Sequence, residues 1–208
     1  MFEILAVTNR LLCAGGKDAF LRQIEKITAC GVKALILREK DLALKDYTDL
    51  ARDVMALCAA KNVRFIVHSY IEAALDLHCP FLHLPWSAFV LREKIGEKGS
   101  LSFGVSVHSL EEARLAIERG ASWLIAGHIF QTKCKQGLDG RGLEFLAALC
   151  KISTIPVYGI GGINEDNIAT IAKTGAAGAC LMSSLMQSED PSVLYHLVTI
   201  PASTLSVP

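Results

Sequence analysis

The residues in this sequence best suited to chemistry fall into four short stretches. The richest is Val157-Tyr-Gly-Ile-Gly-Gly-Ile163, a β-rich run that closes on Gly159, Gly161 and Gly162 just before a helix expected to begin at Asn164. Glycines in such a turn let an anion approach bare backbone N–H groups, and the positive end of a helix adds to the attraction. The next run also ends in small residues and hydroxyls, Ala179-Cys-Leu-Met-Ser-Ser184, so Gly161, Gly162, Ser183 and Ser184 are candidates to hold a phosphate. The same glycines would equally serve to make tight turns. If phosphate contact is their role, Gly162→Val should weaken binding without unfolding the chain.

The other two stretches carry charge and an imidazole. In Leu37-Arg-Glu-Lys-Asp41, Arg38 has the planar fork that suits a carboxylate or phosphate, and Lys40 adds a point charge. Taken alone, this run reads first as a solvent-exposed helix start. The stretch Ile125 to Lys135 sets His128 directly behind a β-rich run, with Thr132 and Lys135 in the same loop as further substrate contacts. Imidazole titrates near neutrality, so a histidine at the mouth of a site beside cations suits proton transfer at carbon. The other histidines weigh differently: His78 falls at a helix end, His196 on the last helix, and His83 and His108 fit a capping or rim-filling role. His68 stands between the two readings.

The elements that must position these residues alternate along the whole chain. β-rich runs are expected at Phe2 to Val7, Lys33 to Leu37, Arg64 to Val67, Phe81 to Leu84, Leu101 to Val105, Trp123 to Ala126, Pro156 to Gly159 and Gly178 to Leu181. Segments of helical period lie at Asp18 to Thr28, Lys45 to Lys61, Tyr70 to Leu77, Ser87 to Lys98, Leu110 to Arg119, Gly142 to Lys151, Asn164 to Lys173 and Val193 to Val198. Gly31, Gly120 and Gly175 sit where a helix would end, and Ser109 with Glu112 has the spacing of a capping box. Eight β-α units in series predict a (β/α)8 TIM barrel spanning 1–200 as one domain, with 201–208 a frayed tail and a doubly wound sheet as the alternative. A barrel does its chemistry at the carboxyl ends of its strands, where all four stretches fall.

Composition excludes several classes. With 51% hydrophobic and 20% charged residues, the chain suits neither disorder nor a coiled coil. Twenty-one basic residues balance twenty-one acidic ones, so no broad positive field exists to collect nucleic acid or acidic lipid, and a small-molecule partner is expected. The uncharged stretch Thr174 to Gln187 is shorter than the roughly eighteen apolar residues of a membrane span and is broken by glycines and serines. Met1 to Asn9 lacks the basic start of a signal peptide and reads as a first strand, which makes the cytoplasm the expected setting. The seven cysteines are odd in number, dispersed and without C-x-x-C spacing, which suggests neither a disulfide framework nor a zinc site. Homo-oligomerisation is left open.

Taken together, the barrel register, Leu37-Arg-Glu-Lys-Asp41, Gly104-Val-Ser-Val-His-Ser-Leu-Glu-Glu-Ala113, Gly127-His-Ile-Phe-Gln-Thr132 and Gly159-Ile-Gly-Gly-Ile163 resemble the thiamine phosphate synthase superfamily over nearly the whole chain. The segment from Gly127 through Cys134 and Lys135 to Gly142 resembles its thiazole tautomerase branch, because His128 stands where synthases usually carry proline. The departures point the same way. Synthases carry Asn-Asp-Arg after strand three and an acid shortly after strand four, both serving magnesium; here the corresponding residues are His68-Ser-Tyr70 and the run from His83 to Ala88.

The resemblance therefore implies a metal-free, cofactor-free isomerase of thiamine biosynthesis. It would convert a dihydrothiazole carboxylate with a phosphorylated arm into the aromatic thiazole carboxylate phosphate. His128 would move the proton, Gly161, Gly162, Ser183 and Ser184 would hold the phosphate, and Arg38, Lys40, Thr132 and Lys135 would meet the rest of this small phosphorylated thiazole. The alternatives are a thiamine phosphate synthase, which is a transferase, and a catalytically silent phosphate-binding regulator of the same fold.

Overall fold

The computed structural model describes residues 2–91, 101–132, 137 and 139–193. Its eight strands are β1 (Glu3–Val7), β2 (Ala34–Leu37), β3 (Arg64–His68), β4 (Phe81–Pro85), β5 (Ser102–Val107), β6 (Trp123–Gly127), β7 (Val157–Ile160) and β8 (Gly178–Leu181). They pair in sequence order, all parallel, and β8 returns to β1 with Glu3 opposite Gly178, closing the barrel. The helices alternate with them: α1 (Gly16–Ala29), α2 (Leu44–Ala60), α3 (Ile71–Asp76), α4 (Trp86–Leu91), α5 (Leu110–Glu118), α6 (Gly142–Ile152), α7 (Ile168–Ala172) and α8 (Ser183–Met186). This is the TIM barrel that the alternation predicts, and the doubly wound alternative falls.

The strands read as continuous apolar runs because both faces are covered. On β1, Ile4 and Ala6 pack outward against the helical layer while Leu5 and Val7 point into the barrel. On β2 the same parity sends Leu35 and Leu37 outward, Ala34 and Ile36 inward. Fully burying each Leu, Ile or Val contributes about 1.5–3 kcal/mol, so a one-residue slip of any strand would expose an entire face. The helices seal the outer layer with one stripe each, as in α1, where Phe20, Ile24, Ile27 and Thr28 are the buried residues. Inside, the indole of Trp123 lies across Gly104, where any Cβ would overlap it, so glycine is required on that strand.

Helix ends follow the expected chemistry at most points. Gly31, Gly120 and Gly175 all have positive φ (95, 84 and 86°), the left-handed geometry that ends a helix cheaply only with glycine. The capping box is half as expected. Ser109 Oγ accepts from Glu112 N–H at 3.0 Å, but the Glu112 carboxylate reaches back to His108 N–H at 2.6 Å rather than to Ser109.

Four boundaries differ from the sequence reading in ways that matter. β5 runs on to Val107, which carries Ser106 to the barrel mouth. The helix expected from Asn164 begins instead at Ile168, because Asn164 and Asn167 fold 164–167 into a turn: Asn167 Oδ1 accepts from Asn164 N–H at 3.0 Å and its amide donates to Gly162 O at 2.9 Å. The helix between β4 and β5 is described only through Leu91, and the rest of the expected Ser87 to Lys98 lies outside the described residues. A short α8 follows β8 directly, while the expected Val193 to Val198 helix beyond its first residue, and the 201–208 tail, also lie outside them. Among the described residues no helix is long and apolar enough to cross a membrane.

Candidate active site

The carboxyl ends of the strands enclose a cavity of about 280 Å³. Three kinds of wall meet there. Arg38 and Lys40 come from the end of β2, a row of imidazoles and Ser106 from β3 to β6, and the turns Gly161 to Ile163 and Ser183 from β7 and β8. A larger cavity, about 570 Å³, lies on the outer flank beside α1 and α2, lined by Lys17, Asp46 and Asp49 among others. It contains none of the strand-end groups and sits away from the mouth where barrels do chemistry.

The charge run after β2 is not simply an exposed helix start. Glu39 is 2% exposed, and its carboxylate accepts from Thr8 Oγ1 at 2.6 Å and from Arg10 N–H at 3.0 Å. The Arg10 guanidinium reaches Glu39 at 3.3 Å and clasps Asp41 with two contacts of 2.6 Å, which holds the Asp41 carboxyl below its ordinary range. Thr8 Oγ1 in turn accepts from Arg38 N–H at 3.0 Å. Both acids of the run are thus engaged with Arg10, and the two cations Arg38 and Lys40 line the cavity.

The imidazoles stand on rigid supports. The buried Tyr47 hydroxyl donates to Leu37 O at 2.7 Å and accepts from His68 N–H at 3.0 Å, bridging β2 to β3 at the level of the site. Ser69 Oγ lies 2.8 Å from His68 Nδ1, and Ser106 Oγ lies 2.8 Å from His83 Nε2, with the two rings 5.7 Å apart. Burial pushes His83 down to about 3. His68 is also held well below its ordinary range, first by burial and then by His83, Arg38 and Lys40. Both are therefore uncharged at neutral pH.

His128 is 5% exposed and follows β6 across a cis Gly127–His128 peptide. Its carbonyl accepts from Arg141 N–H at 2.9 Å, and the next residue, Ile129, donates to Ile160 O at 2.8 Å, so the loop is tied to the end of β7. Gly161 nests against it: a Cβ there would overlap the Cβ of His128. Gly162, with φ of 68°, lies 2.5 Å from Gln131 O at its Cβ position. The glycines hence pack two loops together, and the expectation that Gly162→Val would act on binding alone is corrected: valine would displace the β6 loop.

Among the described residues, the backbone N–H groups of Gly162, Ile163, Ser183 and Ser184 donate to no acceptor. They can serve an anion as a cluster of turn amides, without the long helix expected at Asn164. Ser183 lines the cavity, whereas the Ser184 hydroxyl donates to Ile163 O at 3.3 Å and is used up inside the turn. Thr132 joins the lining with His128. Lys135, the remaining candidate, lies outside the described residues.

From sequence alone, Glu39 and Ser106 have no assigned role in the site and His108 is assigned only to capping or filling the rim. Inward parity along β5 would have found Ser106, but the strand was expected to stop one residue short of it. His108 lines the cavity with its Nδ1 3.4 Å from Glu112 and so combines rim position with a partner. The magnesium site of synthases does not fit here. The strand-three and strand-four positions carry Ser69 and Ala88, the described lining contains no carboxylate, and no three His, Cys, Asp or Glu residues among those described stand together as ligands.

Comparison with known proteins agrees with this architecture. The profile of the thiamine monophosphate synthase family matches residues 4–185. The thiamine-phosphate synthase of Syntrophomonas wolfei is 32% identical over 193 residues, covering 91% of this chain and 90% of its own. That of Bacillus mycoides is 36% identical over 167 residues, 76% of this chain and 75% of its own. The solved thiamine phosphate pyrophosphorylase from Pyrococcus furiosus superposes with a TM-score of 0.79 at 27% identity, covering 95% of this chain and 93% of that one. With the fold, the strand-end cavity and a match over most of its length in agreement, the chain belongs to the thiamine monophosphate synthase family.

Proposed function

We propose that this protein is a thiazole tautomerase, an isomerase within a family whose named relatives are synthases. The observation that carries the proposal is one cavity that gathers the cations after β2, the turn amides after β7 and β8 and His128 after β6, lined by no magnesium carboxylate among the described residues. The reaction is a proton shift. His128 takes the proton from the saturated ring carbon, the C–H electron pair enters the ring, and the exocyclic double bond shifts its electrons to the outer carbon. That carbon then takes the proton back from the imidazolium. Atoms and charge balance without oxidant or metal, and aromatisation supplies the driving force. Arg38 and Lys40 offset the substrate's negative charge, while the amides of Gly162, Ile163 and Ser183 receive its phosphate. The free thiols of Cys58, Cys79 and Cys180 suit a reducing, cytoplasmic setting.

The second reading is a thiamine phosphate synthase, favoured by the names of the curated relatives. Against it stand Ser69 and Ala88, which remove the acids that would steady the pyrophosphate through magnesium. One experiment separates the two. Purified protein is given the dihydrothiazole carboxylate phosphate, and aromatisation is followed by absorbance; in parallel it is given both synthase substrates with magnesium. Turnover in the first and none in the second is expected. Magnesium-dependent thiamine phosphate formation without tautomerisation reverses the assignment.

A further inference from the structure

His68 is a buried imidazole at the mouth whose chemistry the proton shift leaves unused. It is 5% exposed and lines the cavity. Tyr47 holds its backbone N–H at 3.0 Å, and Ser69 Oγ lies 2.8 Å from Nδ1. Ser69 is itself held, with φ of 69° and its N–H donating to His83 O at 3.0 Å. Nε2 has no hydrogen-bond partner among the described residues. The ring is thus fixed at one nitrogen and open at the other.

Its place in the barrel says what it faces. β3 is four strands from β7 in the closed order β1 to β8, so His68 stands across the mouth from the Gly161 to Ile163 turn. On its own side it is the neighbour of Arg38, which ends β2. A substrate whose phosphate sits at the β7 and β8 amides must extend its other anionic end toward Arg38 and His68. We propose that His68 selects the ring carboxylate, donating Nε2–H to it beside Arg38 while Nδ1 accepts from the Ser69 hydroxyl. This rests on the tautomerase reading.

The uncharged state suits the task. Burial, His83, Arg38 and Lys40 all oppose protonation of His68, so it offers a donor without competing for the proton that His128 moves.

The test measures binding by titration calorimetry, using the thiazole phosphate with and without the ring carboxylate. Wild type should bind the carboxylate form at least about tenfold more tightly, the size of a charge-assisted hydrogen bond. His68→Asn should lose about 10- to 100-fold for that form and little for the other. His68→Gln, long enough to present an N–H, should recover part of the loss, and in turnover the Asn variant should raise KM more than it lowers kcat. Equal affinity of wild type for both ligands overturns the inference, as does equal weakening of both by His68→Asn with an unchanged melting temperature. Absent turnover of the dihydrothiazole by wild type would instead sink the functional reading, so the two failures are distinguishable.

Discussion

Replacing His128 by asparagine removes the imidazole and little else. Asparagine keeps the Cβ against which Gly161 nests, and the backbone ties at Arg141 and Ile129 do not involve the side chain. The phosphate amides lie on the β7 and β8 turns, so ligand affinity should change less than threefold. Removing a positioned acid-base group costs roughly a hundred- to ten-thousand-fold in rate. At about 1.4 kcal/mol per factor of ten this is ~3–5 kcal/mol of barrier. The exchange at a site only 5% exposed should cost about 1–2 kcal/mol of stability, a drop in Tm of about 2–8 °C for a chain of this size. The assay is aromatisation by absorbance at saturating substrate, with thermal unfolding and phosphate-ligand titration on the same preparation. Turnover within threefold of wild type in a folded variant would refute the role of His128 and pass the proton to another imidazole at the mouth.

Two further outcomes follow from the packing. Gly162→Val should lower Tm and turnover together, because its Cβ position lies 2.5 Å from Gln131 O and φ is 68°; loss of phosphate affinity with an unchanged Tm would show that the loops yield and that the glycine serves binding alone. Stability should fall as pH drops from about 6.5 towards 3, since an unfolded chain protonates His68 and His83 there while the folded one resists, with a slope of up to about 1.4 kcal/mol per pH unit for each histidine. Replacing His83 with asparagine should flatten the acid limb of a denaturation series, and an unaltered limb would mean that the burial of His83 does not govern it.

Much of the architecture was legible in the chain itself. A barrel strand covered on both faces must be apolar throughout, and a helix packed on one side must carry a stripe, so alternating runs and stripes spell the order of elements without any long-range knowledge. Gly31, Gly120 and Gly175 mark helix ends because only a residue without Cβ adopts that backbone cheaply. The strand-end rule then brings Arg38, His128 and Gly161 to one mouth. Contacts between residues far apart were not legible, because they depend on which strands become neighbours and how their side chains meet. Glu39 became a buried tie only when β1 brought Thr8 and Arg10 beside it. Gly162 became a packing residue only when the β6 loop lay over it. His68 and His83 lost their ordinary basicity only when closure of the barrel excluded water around them. Residue type and spacing could name the groups that do chemistry, but their solvation and partners are properties of the closed barrel.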